Sequence, residues 1–310
     1  MKNSEMAHKN YSQKQVFLER MKILLGKDFN RYLKSLKKER IRSIRCNTLK
    51  ISSKDLKKRL EKKGWAIKIP FKNFPEIMIV ENKLLPGELG RSLEHLLSYY
   101  YIQGIASMLP VLALNPKNNE RVLDLCASPG SKTTQIAAQM ENSGLLIANE
   151  ISLSRIKILA ANLERCGVMN TIITKRNGIA LCKRLKEQNF LFDKILLDVP
   201  CSGEGTIKNT PASFETWNIK KVENLSRIQK SLIASALEVL KPGGEIVYST
   251  CTHAPEENEE VIDFALKNFD IKIEKINLPL KIRRGITDWK NKKYSNEVKL
   301  TCRIYPQDNN

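Results

Sequence analysis

The chain has 310 residues, of which 42% are hydrophobic and 28% charged, a composition that excludes whole-chain disorder and a low-complexity fibre. Its longest apolar run, at residues 105–114, falls well short of the roughly 20 residues that a membrane-spanning helix needs, and the first 20 residues are polar. Seven cysteines without a C-x-x-C pair argue against a disulfide framework and a zinc site, so we expect a cytoplasmic protein without metal or membrane contact.

The net charge of +20 is unevenly distributed. Residues 1–72 hold 22 Lys and Arg against 6 Asp and Glu, or +16, residues 73–269 sum to −1, and residues 270–310 to +5. Basic segments on both sides of a neutral middle indicate a polyanionic partner, because each neutralised phosphate releases condensed counterions. The alternative is that the lysines are solvated and serve only solubility.

The first part of the chain predicts a small α+β module. Residues 12–40 have the apolar spacing of two helices, and a short strand follows at 41–49. A helix is expected at 53–63, with Ser52 or Ser53 as its N-cap, and a strand near 65–69. The module ends near the Pro-Gly pair at 86–87, and we expect residues 99–101, three tyrosines that could stack on bases, to lie in a helix with at least one in the core.

From residue 120 onward, short apolar runs alternate with helical segments. Near-continuous apolar strands between helices predict an α/β, doubly wound, Rossmann-like parallel sheet covered on both faces. Ligands of such sheets bind beyond the carboxyl ends of the strands. The predicted strands are 121–126, 145–150, 171–175, 192–199 and 245–250, and the predicted helices are 132–140, 152–166, 179–188 and 222–240.

The loop after the first of these strands suits a nucleoside without pyrophosphate. Residues 127–133 contain one glycine and match neither the dinucleotide fingerprint nor the P-loop. Glu150, at the end of the next strand, is placed to accept hydrogen bonds from ribose hydroxyls. S-adenosylmethionine is the obvious candidate, and the alternative is an ordinary Pro-Gly turn beside a surface glutamate.

Two cysteines follow the last two predicted strands. Asp198 and Pro200 are followed by Cys201 where methylases of exocyclic amines carry an aromatic residue, and Cys251 follows the fifth strand. Thiols here indicate methylation of carbon 5 of cytosine, which becomes nucleophilic after a thiolate adds to carbon 6. Lys132 would lower a thiol pKa if it reaches the site, and Asp198 would hold the pyrimidine edge. Spacing does not decide which thiol attacks and which assists release.

Several segments in order resemble the Fmu/Sun-type RNA cytosine-C5 methyltransferase family, over most of the chain. The resemblance is carried by residues 45–50 (RCNTLK), by Tyr101, Gln103, Ser107 and Pro110, and by residues 123–133 (LDLCASPGSKT), 198–205 (DVPCSGEG), 248–252 (YSTCT) and 256–260 (EENEE).

This resemblance implies a role for each matching residue. Cys251 would be the nucleophile and Cys201 would promote product release, while Asp198 and Lys132 would contact the target cytosine. Glu150 would bind the ribose, Arg155 would lie along the pocket, and Asn177 would face the adenine. The whole set expected to bind S-adenosyl-L-methionine is Cys126, Ala127, Ser128, Pro129, Gly130, Ser131, Lys132, Glu150, Arg155, Asn177 and Asp198.

The resemblance also predicts the organisation and the partner. Residues 1–95 would form a basic RNA-binding module and residues 96–310 the methyltransferase domain of a monomer that acts on structured rRNA or tRNA. Asn177 stands where the family usually has Asp, and Ser128 and Ser131 replace Ala and Gly. A final glycine-aromatic-aromatic strand is expected to be missing after residue 310.

Two other functions compete with cytosine-C5 methylation. A non-catalytic RNA-binding assembly factor would not need both thiols and Asp198, and an exocyclic-amine methylase would carry an aromatic residue in place of Cys201. His253, close to Cys251, could reach the pocket, and Trp217 is a candidate for base stacking.

Overall fold

The computed structural model describes residues 2–39, 41–207 and 215–309, with side chains described from residue 14 onward. Within this part of the chain the α-helices are α1 Lys2–Leu25, α2 Phe29–Lys37, α3 Ser53–Lys62, α4 Glu88–Arg91, α5 Leu93–Leu96, α6 Ile105–Leu114, α7 Ser131–Gln139, α8 Leu153–Cys166, α9 Gly178–Glu187, α10 Ile219–Leu237, α11 Glu259–Asn268 and α12 Pro306–Asn309. None of these helices is long and apolar enough to cross a membrane.

The strands form two larger sheets and two short hairpin-like pairs. In chain order they are β1 Arg42–Cys46, β2 Ile67–Lys68, β3 Ile77–Val80, β4 Tyr100–Ile102, β5 Arg121–Asp124, β6 Leu145–Asn149, β7 Thr171–Thr174, β8 Phe192–Asp198, β9 Leu240–Ser249, β10 Arg283–Arg284, β11 Asp288–Trp289, β12 Lys292–Lys293 and β13 Cys302–Arg303. The chain divides into two compact units: residues 40–198 with 234–249, called here the sheet unit, and residues 1–39, 199–233 and 250–310, called the thiol unit.

The centre of the sheet unit is a five-stranded parallel sheet in the order β7-β6-β5-β8-β9. Val122 on β5 is opposite Leu146 on β6 and Lys194 on β8, so the sequence order reverses at β5. Val122, Leu146 and Leu196 are fully buried, together with Ile136 of α7. The predicted doubly wound parallel sheet is therefore confirmed. The strand limits lie within two residues of those expected, except that β9 begins five residues earlier.

A second, antiparallel sheet of the sheet unit has the order β2-β3-β1-β4. Helix α3 packs on it through Leu56 and Leu60, and the Ser52 hydroxyl caps the helix by accepting the Asp55 N–H at 3.1 Å. The expected helix over residues 99–101 is wrong, because Tyr100 pairs with Cys46 as β4 and is fully buried. Aromatic residues in sequence favour a strand once a neighbouring edge is available.

Residues 45–50 (RCNTLK) link this antiparallel sheet to the parallel one through hydrogen bonds. Arg45, 2% exposed, donates to the Ser131 carbonyl at 2.6 Å and to the Thr134 hydroxyl at 2.7 Å, and Asn47 donates to the Cys166 carbonyl at 2.9 Å. These buried bonds explain why residues 40–198 form one compact unit. The division at residue 95 is not a boundary between the two compact units, and as a functional division it stays a prediction.

The thiol unit has its own apolar core. Phe17 and Met21 of α1 pack with Tyr32 of α2 and with Trp217, whose ring lies 5.3 Å from that of Phe17. Trp217 is 1% exposed and its indole N–H donates to Glu204 at 2.9 Å. The interpretation of Trp217 as a base-stacking residue is wrong, because its ring faces lie in the core.

Candidate active site

In the sheet unit, the loop between β5 and α7 surrounds a small cavity. Gly130, with φ of +100°, turns the chain into α7, and a Cβ there would lie 3.0 Å from Leu159. The cavity brings together seven of the predicted cofactor residues and one residue that was not predicted. Its lining consists of Asp124, Cys126, Ala127, Ser128, Pro129, Ser131, Lys132 and Asp198.

Glu150 follows β6 and is 3% exposed, so it is not a surface glutamate. Its carboxylate accepts the Ser152 N–H at 2.9 Å and lies 3.3 Å from an Arg155 nitrogen. Arg155 also donates to the Ser128 carbonyl at 2.7 Å, and the Ser128 hydroxyl donates back to the Arg155 carbonyl at 3.0 Å. Arg155 thus links the loop after β5 to the carboxylate after β6.

Asn177 lies at the start of α9 and is the N-cap of that helix. Its side-chain oxygen accepts the N–H groups of Ile179 at 3.0 Å and Ala180 at 3.4 Å. The oxygen that was expected to face adenine is therefore engaged by the protein itself.

The Asp198 carboxylate at the end of β8 is bonded through both oxygens. Lys132 Nζ lies 2.6 Å from Oδ2, and the Ser249 hydroxyl donates to Oδ1 at 2.6 Å. Lys132 also donates to the Ser107 hydroxyl at 3.2 Å. The ammonium group therefore neutralises a carboxylate in the free protein.

Two ionisable groups of the cavity have raised pKa values, the buried Asp124 and the partly buried Cys126. Burial raises the pKa of Asp124 to about 7, although the Thr133 hydroxyl donates to Oδ2 at 2.7 Å. Among the described residues, Asp124 Oδ1 has no hydrogen-bond partner. Burial also raises the pKa of the Cys126 thiol, so that this cysteine is protonated and unreactive.

The thiol unit holds both candidate catalytic cysteines together. The Cys201 and Cys251 sulfurs are 3.0 Å apart, farther than a disulfide bond, and the Cys251 N–H donates to the Cys201 sulfur at 3.3 Å. Cys251 is exposed and Cys201 is partly buried. A hydrogen bond to Cys251, together with burial, raises the pKa of the Cys201 thiol well above its usual range. The raised pKa favours the protonated form of Cys201 beside the exposed Cys251 sulfur.

The loop from residue 202 to 205 approaches the Cys251 backbone closely. Gly205 donates its N–H to the Cys251 carbonyl at 2.9 Å, and a Cβ on Gly205 would lie 2.9 Å from that oxygen. His253, 6% exposed, stacks on Tyr305, and burial lowers its pKa to about 3. His253 is therefore a neutral core residue in the thiol unit.

Sequence reasoning missed four residues around these groups. Asp124 and Ser249 were detectable, because each is the last residue of a parallel strand and ligands bind at that edge. Glu257 and Asn258 were noted only as part of a motif. Their contacts to the thiol loops depend on tertiary structure, which residue spacing alone does not predict.

Two family sequence models match the chain. Residues 111–310 match the family described as 16S rRNA methyltransferase RsmB/F, and residues 14–104 match the family described as the N-terminal domain of 16S rRNA methyltransferase RsmF.

Individual relatives and solved structures are similar over most of the chain. A tRNA (cytosine(49)-C(5))-methyltransferase from Pyrococcus abyssi is 45% identical over 86% of the chain and 84% of its own length. The ribosomal RNA small subunit methyltransferase F of Vibrio campbellii is 42% identical over 86% of the chain, which spans only 56% of that relative. A methyltransferase homologue from Pyrococcus horikoshii has a TM-score of 0.82 at 35% identity, covering 98% of this chain and 94% of that one. NSun6 from Pyrococcus horikoshii, solved with SFG, has a TM-score of 0.77 at 25% identity, covering 94% of each chain.

Proposed function

The chain belongs to the RsmB/F methyltransferase family, and we propose that it methylates carbon 5 of a cytosine in structured RNA through a covalent cysteine adduct. Membership confirms the Fmu/Sun-type family that the motifs predicted. The observation that carries the proposal is the 3.0 Å distance between the sulfurs of the exposed Cys251 and the partly buried Cys201. The Pyrococcus abyssi relative, which is named for cytosine-C5 methylation of tRNA, supports cytosine-C5 methylation as the reaction and RNA as the substrate class.

The residues around the cavity of the sheet unit, with Glu150 after β6, support S-adenosyl-L-methionine as the methyl donor. The buried Asp124 oxygen without a partner is an acceptor for a ligand ammonium group, and the Glu150 carboxylate is an acceptor for ribose hydroxyls. The similar NSun6 structure contains SFG, an analogue of this cofactor. When bound, the cofactor supplies the methyl group as an electrophile on sulfur.

In the proposed reaction Cys251 attacks carbon 6 as a thiolate and forms a C–S bond. Asp198 holds the pyrimidine edge while ring nitrogen 3 takes a proton from solvent, which it returns when the C–S bond breaks. Lys132 keeps the Asp198 carboxylate oriented. After methyl transfer, Cys201 passes its proton to the departing Cys251 sulfur and, as the resulting thiolate, takes the carbon-5 proton. Both thiols are then protonated, and Cys251 loses a proton to solvent before the next turnover.

A row of lysines on α3 supports contact with an RNA backbone. Lys54, Lys58 and Lys62 are four residues apart on the exposed face and make no ion pair among the described residues. Four helical residues rise about 6 Å, so the three ammonium groups follow one line along the helix. Other basic residues of this region are structural: Arg59 and Lys63 bond Glu94, and Arg45 is buried.

The proposal is tested with the two cysteine variants, the labelled methyl donor and total RNA as substrate. Cys251→Ala should abolish methyl transfer, whereas Cys201→Ala should accumulate a covalent RNA adduct that persists in denaturing electrophoresis. Normal turnover of Cys251→Ala, or no adduct with Cys201→Ala, contradicts the assigned roles. Nucleoside mass spectrometry identifies the product, and an N4-methylated cytosine would exclude carbon-5 transfer. Bisulfite sequencing of RNA from cells with and without the protein then locates the cytosine in rRNA or tRNA.

A further inference from the structure

Residues 256–260 connect a single 3-10 turn, Pro255–Glu257, to α11 in the thiol unit. Three of the carboxylates in this segment bond cations, and these pairs are Glu256 with Arg20, Glu259 with Arg303 and Glu260 with Lys230. The other two residues, Glu257 and Asn258, instead form hydrogen bonds with residues in the loops that carry Cys201 and Cys251.

Glu257 holds the chain on both sides of Cys201. Its Oε2 accepts the Ser202 N–H at 3.0 Å and the Gln229 amide at 2.9 Å, and the same amide nitrogen donates to the Pro200 carbonyl at 2.9 Å. Glu257 and Gln229 are both fully buried. Burial raises the pKa of Glu257, and the negative charge of Glu257 adds to the other effects that raise the pKa of Cys201.

Asn258 holds the chain on both sides of Cys251 in the same way. Its Oδ1 accepts from the Thr250 hydroxyl at 2.7 Å, and its Nδ2 donates to the Thr252 carbonyl at 3.1 Å. A hydrogen bond of 2.7 Å between the Ser202 and Thr252 hydroxyls joins the two thiol loops directly. One dipeptide therefore anchors both loops.

Resting on the cysteine chemistry proposed above, we infer that Glu257 and Asn258 are positioning residues with separate tasks. Asn258 orients Cys251 for attack on the pyrimidine, and Glu257 orients Cys201 for release of the product. Because the two residues are consecutive, one short segment sets the position of each sulfur relative to the other.

Separate tasks predict opposite effects on the RNA adduct. Glu257→Ala should accumulate adduct about tenfold above the parent protein, as Cys201→Ala does, since a lost buried hydrogen bond costs about 1–1.5 kcal/mol. Asn258→Ala should form little adduct, and added to Cys201→Ala it should reduce the adduct of that variant about tenfold. Parallel losses of adduct and turnover in both variants, in proportion to the folded fraction, would mean a purely structural role and overturn the inference.

Two variants of the same segment serve as controls. Glu257→Gln keeps an oxygen that accepts from Ser202 and Gln229, so the adduct should fall back to the parent level. Glu260→Gln removes ion pairs with Lys230 and Lys292 without touching either thiol loop and should behave like the parent. Adduct accumulation in Glu260→Gln, or the absence of rescue in Glu257→Gln, contradicts the assignment.

A measurement without RNA separates this inference from the proposed function. Phenylarsine oxide bridges two neighbouring thiols by forming two As–S bonds and releasing water, and intact-mass spectrometry follows the capture. Capture should be lost in Cys201→Ala and Cys251→Ala and should slow about tenfold in Glu257→Ala and Asn258→Ala. Unchanged capture in Glu257→Ala and Asn258→Ala overturns the positioning roles. Slowed capture in these variants, with no RNA adduct in Cys201→Ala, contradicts the proposed function and leaves the positioning roles intact.

Discussion

Lys132 Nζ lies 2.6 Å from Asp198 Oδ2, so the carboxylate assigned to the pyrimidine is oriented before any substrate arrives. Ser249 donates to the other oxygen at 2.6 Å. The ammonium group thereby fixes the direction of the carboxylate, and the hydroxyl adds a hydrogen bond to the charged acceptor.

Substitution of this pair should separate charge from orientation. Asp198→Asn should slow single-turnover methyl transfer by about 10²–10⁴-fold, because it removes a group positioned for proton transfer. Ser249→Ala keeps the ion pair and should cost about 10- to 100-fold, the size of one hydrogen bond to a charged group. Equal rates in Asp198→Asn and the parent would remove Asp198 from the chemistry.

Asn177 offers a test of cofactor affinity. Asn177→Asp keeps the N-cap of α9 and adds a charge at the helix N-terminus, which stabilises by about 0.3–1 kcal/mol. A charged acceptor for the adenine amine should tighten S-adenosylmethionine binding about tenfold in calorimetry, and Asn177→Ala should weaken it. Identical affinities for all three proteins would show that residue 177 caps the helix and does nothing more.

The lysine row on α3 predicts a salt dependence. Replacing Lys54, Lys58 and Lys62 by Gln keeps good helix formers and should lower the slope of log affinity against log salt by about 2–3 for RNA. Replacing Lys117, Lys157 and Lys183, which are exposed elsewhere in the sheet unit, changes the net charge equally and is the matched control. Equal slopes for the two triple variants would mean that the α3 lysines are only solvated.

The buried Asp124 predicts a pH-dependent stability. Its pKa of about 7 lies above the unfolded value of 3.8, so the folded protein favours the protonated form. The associated stability is fully present below about pH 4 and is lost as pH rises to about 7, by about 4 kcal/mol at 1.36 kcal/mol per pH unit. Urea unfolding between pH 4 and 8 should show this loss in the parent and not in Asp124→Asn. A parallel pH profile for both proteins would contradict the burial effect.

The parallel sheet was predictable from the sequence, whereas two strands of the antiparallel sheet, β3 and β4, were not. Buried parallel strands are apolar on both faces, so β5 to β9 are recognisable in the sequence as short continuous apolar runs. The helices between them are recognisable by apolar residues at helical spacing. Strand β3 and strand β4 are short and exist because β1 offers an edge to each. Such pairing is a non-local interaction that a period of two residues does not reveal.

The candidate site was also predictable only in part. The rule that ligands bind where parallel strands end predicted Glu150, Asp198 and the two cysteines as candidates. The roles of Trp217 and Arg45 could not be predicted in this way. The sequence around a tryptophan does not tell whether its ring is exposed for stacking or buried in a core. In the same way, the sequence does not tell whether an arginine binds RNA or is buried. Only the packing of Trp217 on Phe17 and the bonds of Arg45 distinguish them.

The buried Arg45 bears on how the protein can be dissected. Its guanidinium donates to the Ser131 carbonyl, the first residue of the helix that follows the cofactor loop. A fragment cut after residue 95 would keep the arginine and lose those acceptors, and the complementary fragment would keep the acceptors and lose the donor. Because a buried donor or acceptor left without its partner costs about 1–3 kcal/mol, and more for a charged group, we expect both fragments to be destabilised. We therefore expect this N-terminal segment to be exchangeable only where the residues at positions 134 and 135 still accept from Arg45.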